Sequence, residues 1–160
     1  MTEKTTRKPP TGLSRLLFRA PIWLYRLGLG WLLGRRFLLL NHVGRKSGQV
    51  RQAVLEVVDH DAETGTYFVA SGFGRKSQWF RNVQAQPEVM IQIGRRTLAA
   101  TAEILESAAS GQMMVEYARR HPTAAQNLSK LMAVAVDGSE ADYRRVGEEA
   151  VPFVALRPRE

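Results

Sequence analysis

A short loop with two glycines, two cations and a hydroxyl carries the strongest chemical signal in this sequence. Residues 44–48 read Gly-Arg-Lys-Ser-Gly, and Arg51 follows three positions later. Glycines let the backbone turn and present its N–H groups, while arginine offers a bidentate fork and lysine a point charge. This combination suits a phosphate, and a solvated basic turn is the alternative interpretation. It is not a nucleotide-binding P-loop, because Arg45 stands where that motif needs a glycine directly before the lysine.

Composition and charge point to an anionic partner. The chain has 160 residues with 23 Lys+Arg and 15 Asp+Glu, so its formal net charge is +8. Residues 1–51 hold 11 basic side chains and one acidic one, whereas the remainder is close to neutral. A basic front half suits a phosphate-bearing ligand, a membrane surface or nucleic acid. The sequence contains no cysteine, which excludes disulfides and thiolate catalysis, and its three scattered histidines predict no metal site.

The loop must be positioned by strands and helices whose patterns the sequence shows. Short apolar runs separated by turns predict strands at residues 37–41, 50–58, 66–71, 89–93, 97–105 and 151–156. Helical spacing predicts helices at residues 78–86, 107–120, 122–136 and 143–149. Ser107 or Ser110 is the expected N-cap of the second helix. About six mostly antiparallel strands with flanking helices predict an α+β fold built on a small barrel.

The N-terminal part divides into an expected flexible tail, residues 1–12, and a helical segment, residues 13–34, that begins a single domain reaching residue 160. Arginines interrupt the helical segment, so its uncharged stretches are far shorter than a transmembrane span. Its apolar face either packs on the barrel or lies in a membrane interface through residues 13–33. We find no signal-peptide pattern and expect a cytoplasmic location, with membrane association as the alternative.

Three stretches of the chain together resemble a known enzyme family. They read FLLLNHVGRKSGQVRQAVLEVV, then YFVASGFG, then WFRNVQAQPEVMIQIGRR. In order and spacing they resemble the deazaflavin (coenzyme F420)-dependent nitroreductase family of split β-barrel oxidoreductases, from about residue 19 to residue 158. The resemblance implies a split β-barrel and binding of coenzyme F420, a hydride carrier with a phosphate and a polyglutamate tail. FMN is the runner-up cofactor, because the same barrel also hosts flavins.

The resemblance also implies which residues contact the cofactor. The positions implied for the phosphate side are Arg45, Lys46, Ser47 and Arg51. The positions implied to run along the cofactor, approach its ring or cap it are Gln52, Ala53, Val54, Glu56, Val69, Ala70, Ser71, Gly72, Trp79, Phe80 and Asn82. Core packing is the alternative role for Trp79 and Phe80, and a surface amide or local cap for Asn82. For His42, strand-edge packing or a backbone hydrogen bond is favoured over cofactor contact.

The activity implied by the resemblance is hydride transfer between reduced F420 and a small organic acceptor, such as an enone, a quinone or a nitro compound. Ser71, Tyr143 or water would supply the proton, and Tyr143 resembles a substrate-side tyrosine of the family. Glu56 stands where the nitroimidazole-reducing members carry a tyrosine, so a different set of substrates is expected. The alternatives are an FMN-dependent oxidoreductase and a non-catalytic cofactor-binding protein.

The expected partners are a small-molecule substrate and a second copy of the chain, because split-barrel relatives often form dimers. Nucleic acid is not expected, although the isoelectric point is near 10.4. The predicted strands lack the basic stripe interleaved with aromatic residues that single-stranded nucleic acids require.

Overall fold

The computed structural model describes residues 34–131 and 137–159. The strands in these residues are β1 (Phe37–Val43), β2 (Val50–Asp61), β3 (Thr66–Ala70), β4 (Glu88–Ile93), β5 (Arg96–Ile104) and β6 (Phe153–Pro158). The helices are α1 (Gln78–Ala85), α2 (Ser107–Arg120), α3 (Pro122–Leu131) and α4 (Glu140–Glu149), with a 3-10 turn at Gly74–Lys76. Three predicted parts of the chain lie outside the described residues. They are the tail (1–12), residues 13–33 of the segment predicted to be helical and to pack on the barrel or lie in a membrane interface, and residues 132–136 of the predicted third helix.

The strands form a closed antiparallel barrel in the order β1-β2-β3-β6-β5-β4. The barrel closes because β1 pairs with β2 on one side and with β4 on the other. This arrangement confirms the predicted α+β fold, a six-stranded split β-barrel with flanking helices. No helix within the described ranges is both long enough and apolar enough to span a bilayer.

Alternating burial along β4 identifies which side of the barrel wall faces inward. Ile91 is completely buried, whereas Met90 beside it is exposed. Ile91 pairs with Leu40 of β1, and directly opposite residues of two antiparallel strands share one face. Since side chains alternate along a strand, His42 also faces inward, two positions beyond Leu40. This polar residue on an apolar face matters for the site.

The described chain forms two compact units. The barrel unit comprises residues 34–70, 78–103 and 154–159, and the helical unit comprises residues 71–77, 104–131 and 137–153. Within the helical unit, α2 and α4 pack closely where two glycines meet. A Cβ atom added to Gly147 would lie 2.8 Å from the Cα atom of Gly111. The two helices approach this closely because neither carries a side chain at the contact.

The structure confirms the predicted bounds of the second helix, but the predicted N-cap is wrong. The residue preceding α2 is Glu106, and it makes no side-chain capping bond. Ser107 is the first residue of the helix. Ser110 lies one turn further along, where its hydroxyl oxygen accepts a hydrogen bond from the backbone N–H of Phe153, 3.1 Å away. The hydroxyl of Ser110 therefore binds another segment of the helical unit and does not cap the helix.

Two other boundaries differ from prediction for local reasons. Helix α4 begins at Glu140, three residues earlier than predicted, because the hydroxyl of Ser139 accepts the backbone N–H of Asp142 at 3.2 Å and caps the helix. Strand β6 begins at Phe153 instead of residue 151, since Pro152 has no N–H to donate to a neighbouring strand. Apolar spacing alone shows neither effect.

Candidate cofactor-binding site

The basic loop, residues 44–48, is a tight turn between β1 and β2. The backbone N–H of Gly44 donates to the carbonyl of Gln49, and that of Gly48 donates to the carbonyl of Gly44, both at 2.8 Å. Gly48 has a φ of +70°, and a Cβ atom on Gly44 would lie 2.6 Å from the hydroxyl oxygen of Ser47. The positive φ favours glycine at position 48, whereas the contact at Gly44 is with a side-chain hydroxyl that can move.

Helix α1 holds the arginine of this loop with amide oxygens. Asn82 is buried, and its Oδ1 accepts from the backbone N–H of Arg45 at 3.1 Å and from Arg45 Nη1 at 2.8 Å. Gln78 lies four residues earlier on the same helix face, and its Oε1 accepts from the same Nη1 at 3.0 Å. Both acceptors are neutral, so neither brings a negative charge that would offset that of the guanidinium.

The other end of the Asn82 amide meets a histidine. Asn82 Nδ2 lies 3.0 Å from Nδ1 of His42. Both groups of Arg45 that face the amide can only donate, so the atom facing them is the oxygen and Nδ2 must donate to His42. The imidazole is therefore neutral, with Nδ1 unprotonated and its hydrogen on Nε2. Burial and, after it, the charge of Arg51 lower the pKa of His42 from 6.5 to about 4, which agrees with this state.

The remaining cations of the predicted phosphate side lie near the same end of the barrel. Arg51 is the register partner of His42, and its side chain is exposed at the start of β2. Lys46 and Ser47 are exposed in the basic loop itself. The structure thus brings together Arg45, Arg51 and Asn82 from three separate stretches of sequence, with Lys46 and Ser47 in the loop between β1 and β2.

The residues predicted to run along the cofactor do not share one face of β2. In the pairing with β1, Ala53 faces inward, whereas Gln52, Val54 and Glu56 face outward. Gln52 also donates a hydrogen bond from Nε2 to Oδ1 of Asn41, 3.0 Å away. A planar ligand lying against one face of this strand therefore meets one of these two sets.

Three of the predicted ring-side and capping residues belong to the packed interior of the barrel unit. Trp79 and Phe80 are buried, and their rings meet edge to face with centroids 6.0 Å apart. Val69 is also completely buried, while Ala70 is half-buried. The core-packing interpretation of Trp79 and Phe80 agrees with this geometry, and cofactor contact through any of the four stays a prediction.

Ser71, Gly72 and Tyr143 belong to the helical unit. Ser71 has no exposed surface, and its hydroxyl donates a hydrogen bond to the carbonyl oxygen of Gly74 at 2.6 Å. Its proton is therefore already engaged within the turn that follows β3. Gly72 is half-exposed, and Tyr143 is buried on α4.

Sequence reasoning missed the roles of His42 and Gln78. His42 continues the inward phase of Leu38 and Leu40, and a polar side chain on a buried face needs a hydrogen-bond partner. This alternation could have predicted that the side chain of His42 is buried and hydrogen-bonded. The partner itself was not visible in sequence, because Asn82 lies 40 residues away and reaches His42 only through the packing of α1.

Comparisons with known proteins place the chain in a family. The model of a family described as F420H(2)-dependent quinone reductase matches residues 19–138. Two solved structures share the fold. An F420-H2 dependent reductase (FDR-A) is 23% identical, and the match covers 78% of this chain and 96% of that one with a TM-score of 0.54. A structure described as a domain-swapped dimer is 21% identical, and the match covers 86% of this chain and 100% of that one with a TM-score of 0.53. A protein of unknown function from Agrobacterium tumefaciens, at 16% identity, covers 96% of this chain and 60% of that one with a TM-score of 0.55. The chain belongs to the F420H(2)-dependent quinone reductase family and is an oxidoreductase that uses coenzyme F420.

Proposed function

We propose that the basic loop and Arg51 hold the phosphate of coenzyme F420. One observation carries the proposal: both side-chain bonds of Arg45 use Nη1 and end on neutral amide oxygens. The edge formed by Nε and Nη2 makes no hydrogen bond to any residue that the structure describes. Because the guanidinium is planar and held at Nη1, its Nε–Nη2 edge can donate two hydrogen bonds to an anion in a defined orientation.

The chemistry of the surrounding groups fits a phosphate, which only accepts hydrogen bonds when fully ionised. Lys46 and Arg51 add two positive charges, and the hydroxyl of Ser47 adds a donor at the exposed loop. Within the described ranges, none of Arg45, Lys46 and Arg51 forms an ion pair with a carboxylate. Their charges are therefore not cancelled before an anionic ligand arrives.

The proposed reaction is reduction of a small organic acceptor. When bound, reduced F420 supplies the hydride, and the chain supplies position, exclusion of water and a route for a proton. A quinone is the favoured acceptor, because the matching family is described as a quinone reductase, with enones and nitro compounds as alternatives. Tyr143 or solvent is a better proton donor than Ser71, whose hydroxyl already donates to a carbonyl.

The carboxylate of Glu56 is the reason to propose that this enzyme accepts substrates different from those of the nitroimidazole-reducing family members. It lies half-buried on the outward face of β2. A carboxylate there favours acceptors that carry a donor group or positive charge and disfavours anionic ones. Contact between Glu56 and the acceptor is part of the proposal.

A titration of the full-length protein with F420, followed by tryptophan fluorescence, tests the proposal, with FMN in parallel. We expect saturable F420 binding and much weaker FMN binding. Binding of FMN alone, or of neither cofactor, would contradict the cofactor assignment. A small quinone, an enone and a nitroarene are then offered with reduced F420. Binding without turnover of any of them would favour a non-catalytic cofactor-binding protein.

A homodimer is the proposed assembly. The outward face of the sheet exposes two apolar side chains, Val50 and Met90, on neighbouring parts of β2 and β4 around β1. One of the similar solved structures is described as a domain-swapped dimer. Analytical ultracentrifugation is expected to give about twice the 18.0 kDa mass of the chain. Peripheral membrane contact through residues 13–33 and a cytoplasmic location stay predictions.

A further inference from the structure

We infer that His42 is a positioning residue for the anion site, acting on Arg45 through the side-chain amide of Asn82. The inference rests on the proposed function of the basic loop. It adds a residue that orients the amide by which Arg45 of that loop is held. His42 itself faces into the barrel, so it acts on the ligand indirectly.

The amide of Asn82 has two orientations related by a half turn, and the two donors of Arg45 and the acceptor of His42 favour the same one. With Oδ1 toward the loop, the amide accepts two hydrogen bonds from Arg45 and donates one to Nδ1 of His42. In the flipped orientation, Nδ2 would face two donors of Arg45, and Oδ1 would face the imidazole. That arrangement is disfavoured when Nδ1 is unprotonated. Oδ1 and Nδ1 would then be two acceptors facing each other, and Nδ2 would be a donor facing the donors of Arg45.

The position of His42 in the barrel sets it apart from its apolar neighbours. It follows Leu38 and Leu40 on the same inward face, and both of those are completely buried aliphatic residues. An aliphatic residue at position 42 would continue the core without the cost of desolvating an imidazole. The single side-chain hydrogen bond that His42 makes among the described residues is the one to Asn82.

The charges around His42 keep the imidazole in its accepting state. Arg51 lies directly opposite on β2 and is the charged group that faces the ring from that strand. A protonated His42 would stand beside this cation and would turn Nδ1 into a donor facing the Nδ2 donor of Asn82. Neutral His42 therefore both accepts from Asn82 and leaves the positive charge of the site on half-buried Arg45 and exposed Arg51.

Two substitutions separate positioning from packing. His42→Leu keeps an apolar side chain at the inward position and removes the acceptor. His42→Asn places an amide oxygen at the same distance along the side chain as Nδ1 and restores it. Removal of an acceptor from a buried donor is expected to weaken F420 binding by about tenfold in His42→Leu, and His42→Asn should stay within about threefold of wild type. The KM for reduced F420 should follow the binding constant, while kcat for a quinone acceptor changes little.

A spectroscopic measurement on the wild-type protein tests the same inference without ligand or substitution. Long-range ¹⁵N NMR of the histidine side chains should show His42 at about pH 7 as the neutral tautomer with its hydrogen on Nε2. A hydrogen on Nδ1, or a charged ring, would overturn the inference even if His42→Leu did not fold.

The outcomes also distinguish this inference from the proposed function. Loss of F420 binding in Arg45→Ala/Lys46→Ala together with unchanged binding in a folded His42→Leu would overturn the role of His42 alone. Unchanged binding in Arg45→Ala/Lys46→Ala would overturn the loop assignment itself. Weakened binding in His42→Leu with recovery in His42→Asn supports both.

Discussion

Arg45 is held by different partners from the ion-paired arginines, which occur in both units. In the barrel unit, Arg157 Nε donates to a carboxylate oxygen of Glu103 at 2.6 Å. In the helical unit, Arg119 Nε donates to a carboxylate oxygen of Glu140 at 2.8 Å, and Arg145 Nη2 lies 2.7 Å from a carboxylate oxygen of Asp142. The carboxylate of Asp142 raises the pKa of Arg145. In the barrel unit, Arg45 is held by the amide oxygens of two neutral side chains.

The difference separates an arginine whose charge is paired with a carboxylate from one that is held by neutral groups. A carboxylate partner cancels the charge of a guanidinium, so a ligand phosphate would have to compete with it. An amide oxygen fixes the geometry of the group and leaves its charge in place. The exposed ion pair between Arg119 and Glu140 contributes little stability, because solvent screens it. The comparison predicts that cofactor binding depends on Arg45 and its amide partners and is insensitive to the paired arginines.

Removal of the amide at position 82 should give the largest single effect. In Asn82→Ala, Arg45 loses the two hydrogen bonds that it donates to Oδ1, and His42 loses its donor. We expect F420 affinity to fall by about tenfold or more and the free energy of unfolding to fall by about 1–3 kcal/mol. Fluorescence titration and chemical denaturation measure the two effects. Gln84→Ala, at an exposed position on the same helix, is the control and should change neither quantity.

Exchange of arginine for lysine tests the geometry of the fork separately from its charge. Arg45→Lys keeps the positive charge but cannot bond two amide oxygens and a phosphate in one plane. We expect F420 affinity to fall by about three- to tenfold. Arg119→Lys is the matched change at an ion-paired arginine and should bind F420 as wild type does. Equal affinities for both variants would mean that only charge matters at the loop.

The buried histidine predicts a pH dependence of stability. Its pKa is about 4 in the folded protein, below the ordinary value of 6.5. The unfolded chain therefore binds more protons between these two values, and folding stability is lost as pH falls through that window. His42→Asn lacks this titration. The free energy of unfolding of the wild type should fall relative to that of His42→Asn as pH falls from about 7 to about 4, and a pH-independent difference between the two would contradict the pKa assignment.

Disruption of an ion pair in the helical unit should give the smallest effect. Arg119 and Glu140 are both largely exposed. Arg119→Ala is expected to change the free energy of unfolding by less than about 1 kcal/mol and to leave F420 affinity unchanged. Chemical denaturation and titration check both values. A larger loss of stability would show that this pair fastens the helical unit more strongly than exposure suggests.

The sequence predicted the barrel well because the barrel depends on local patterns. Strand β4 alternates buried and exposed residues, and the glycines at positions 44 and 48 mark a turn that the structure closes with backbone hydrogen bonds. The early start of α4 was missed because Ser139 caps the helix through a polar contact that hydrophobic spacing does not register. Local chemistry at helix ends was thus less visible than the alternation of strands.

The site was only partly predictable, because its key contacts join distant residues. The cations of the basic loop were recognisable from their types and spacing. The contacts of Arg45 with Gln78 and Asn82 span 33 and 37 residues, and they depend on how α1 packs against the barrel. The family resemblance implied that Asn82 contacts the cofactor, while the structure shows it bonded to Arg45 and His42. Direct contact between Asn82 and the cofactor stays a prediction.

The most direct measurement is a paired titration with F420 of two variants that each remove two positive charges. Arg45→Ala/Lys46→Ala removes charges held without carboxylates, and Arg119→Ala/Arg145→Ala removes charges that are ion-paired. We expect affinity to fall by about tenfold or more in the first and by less than about twofold in the second, at equal ionic strength. Equal losses in both would mean that only net charge draws the cofactor, and unchanged affinity in the first would contradict the assignment of the phosphate to the basic loop.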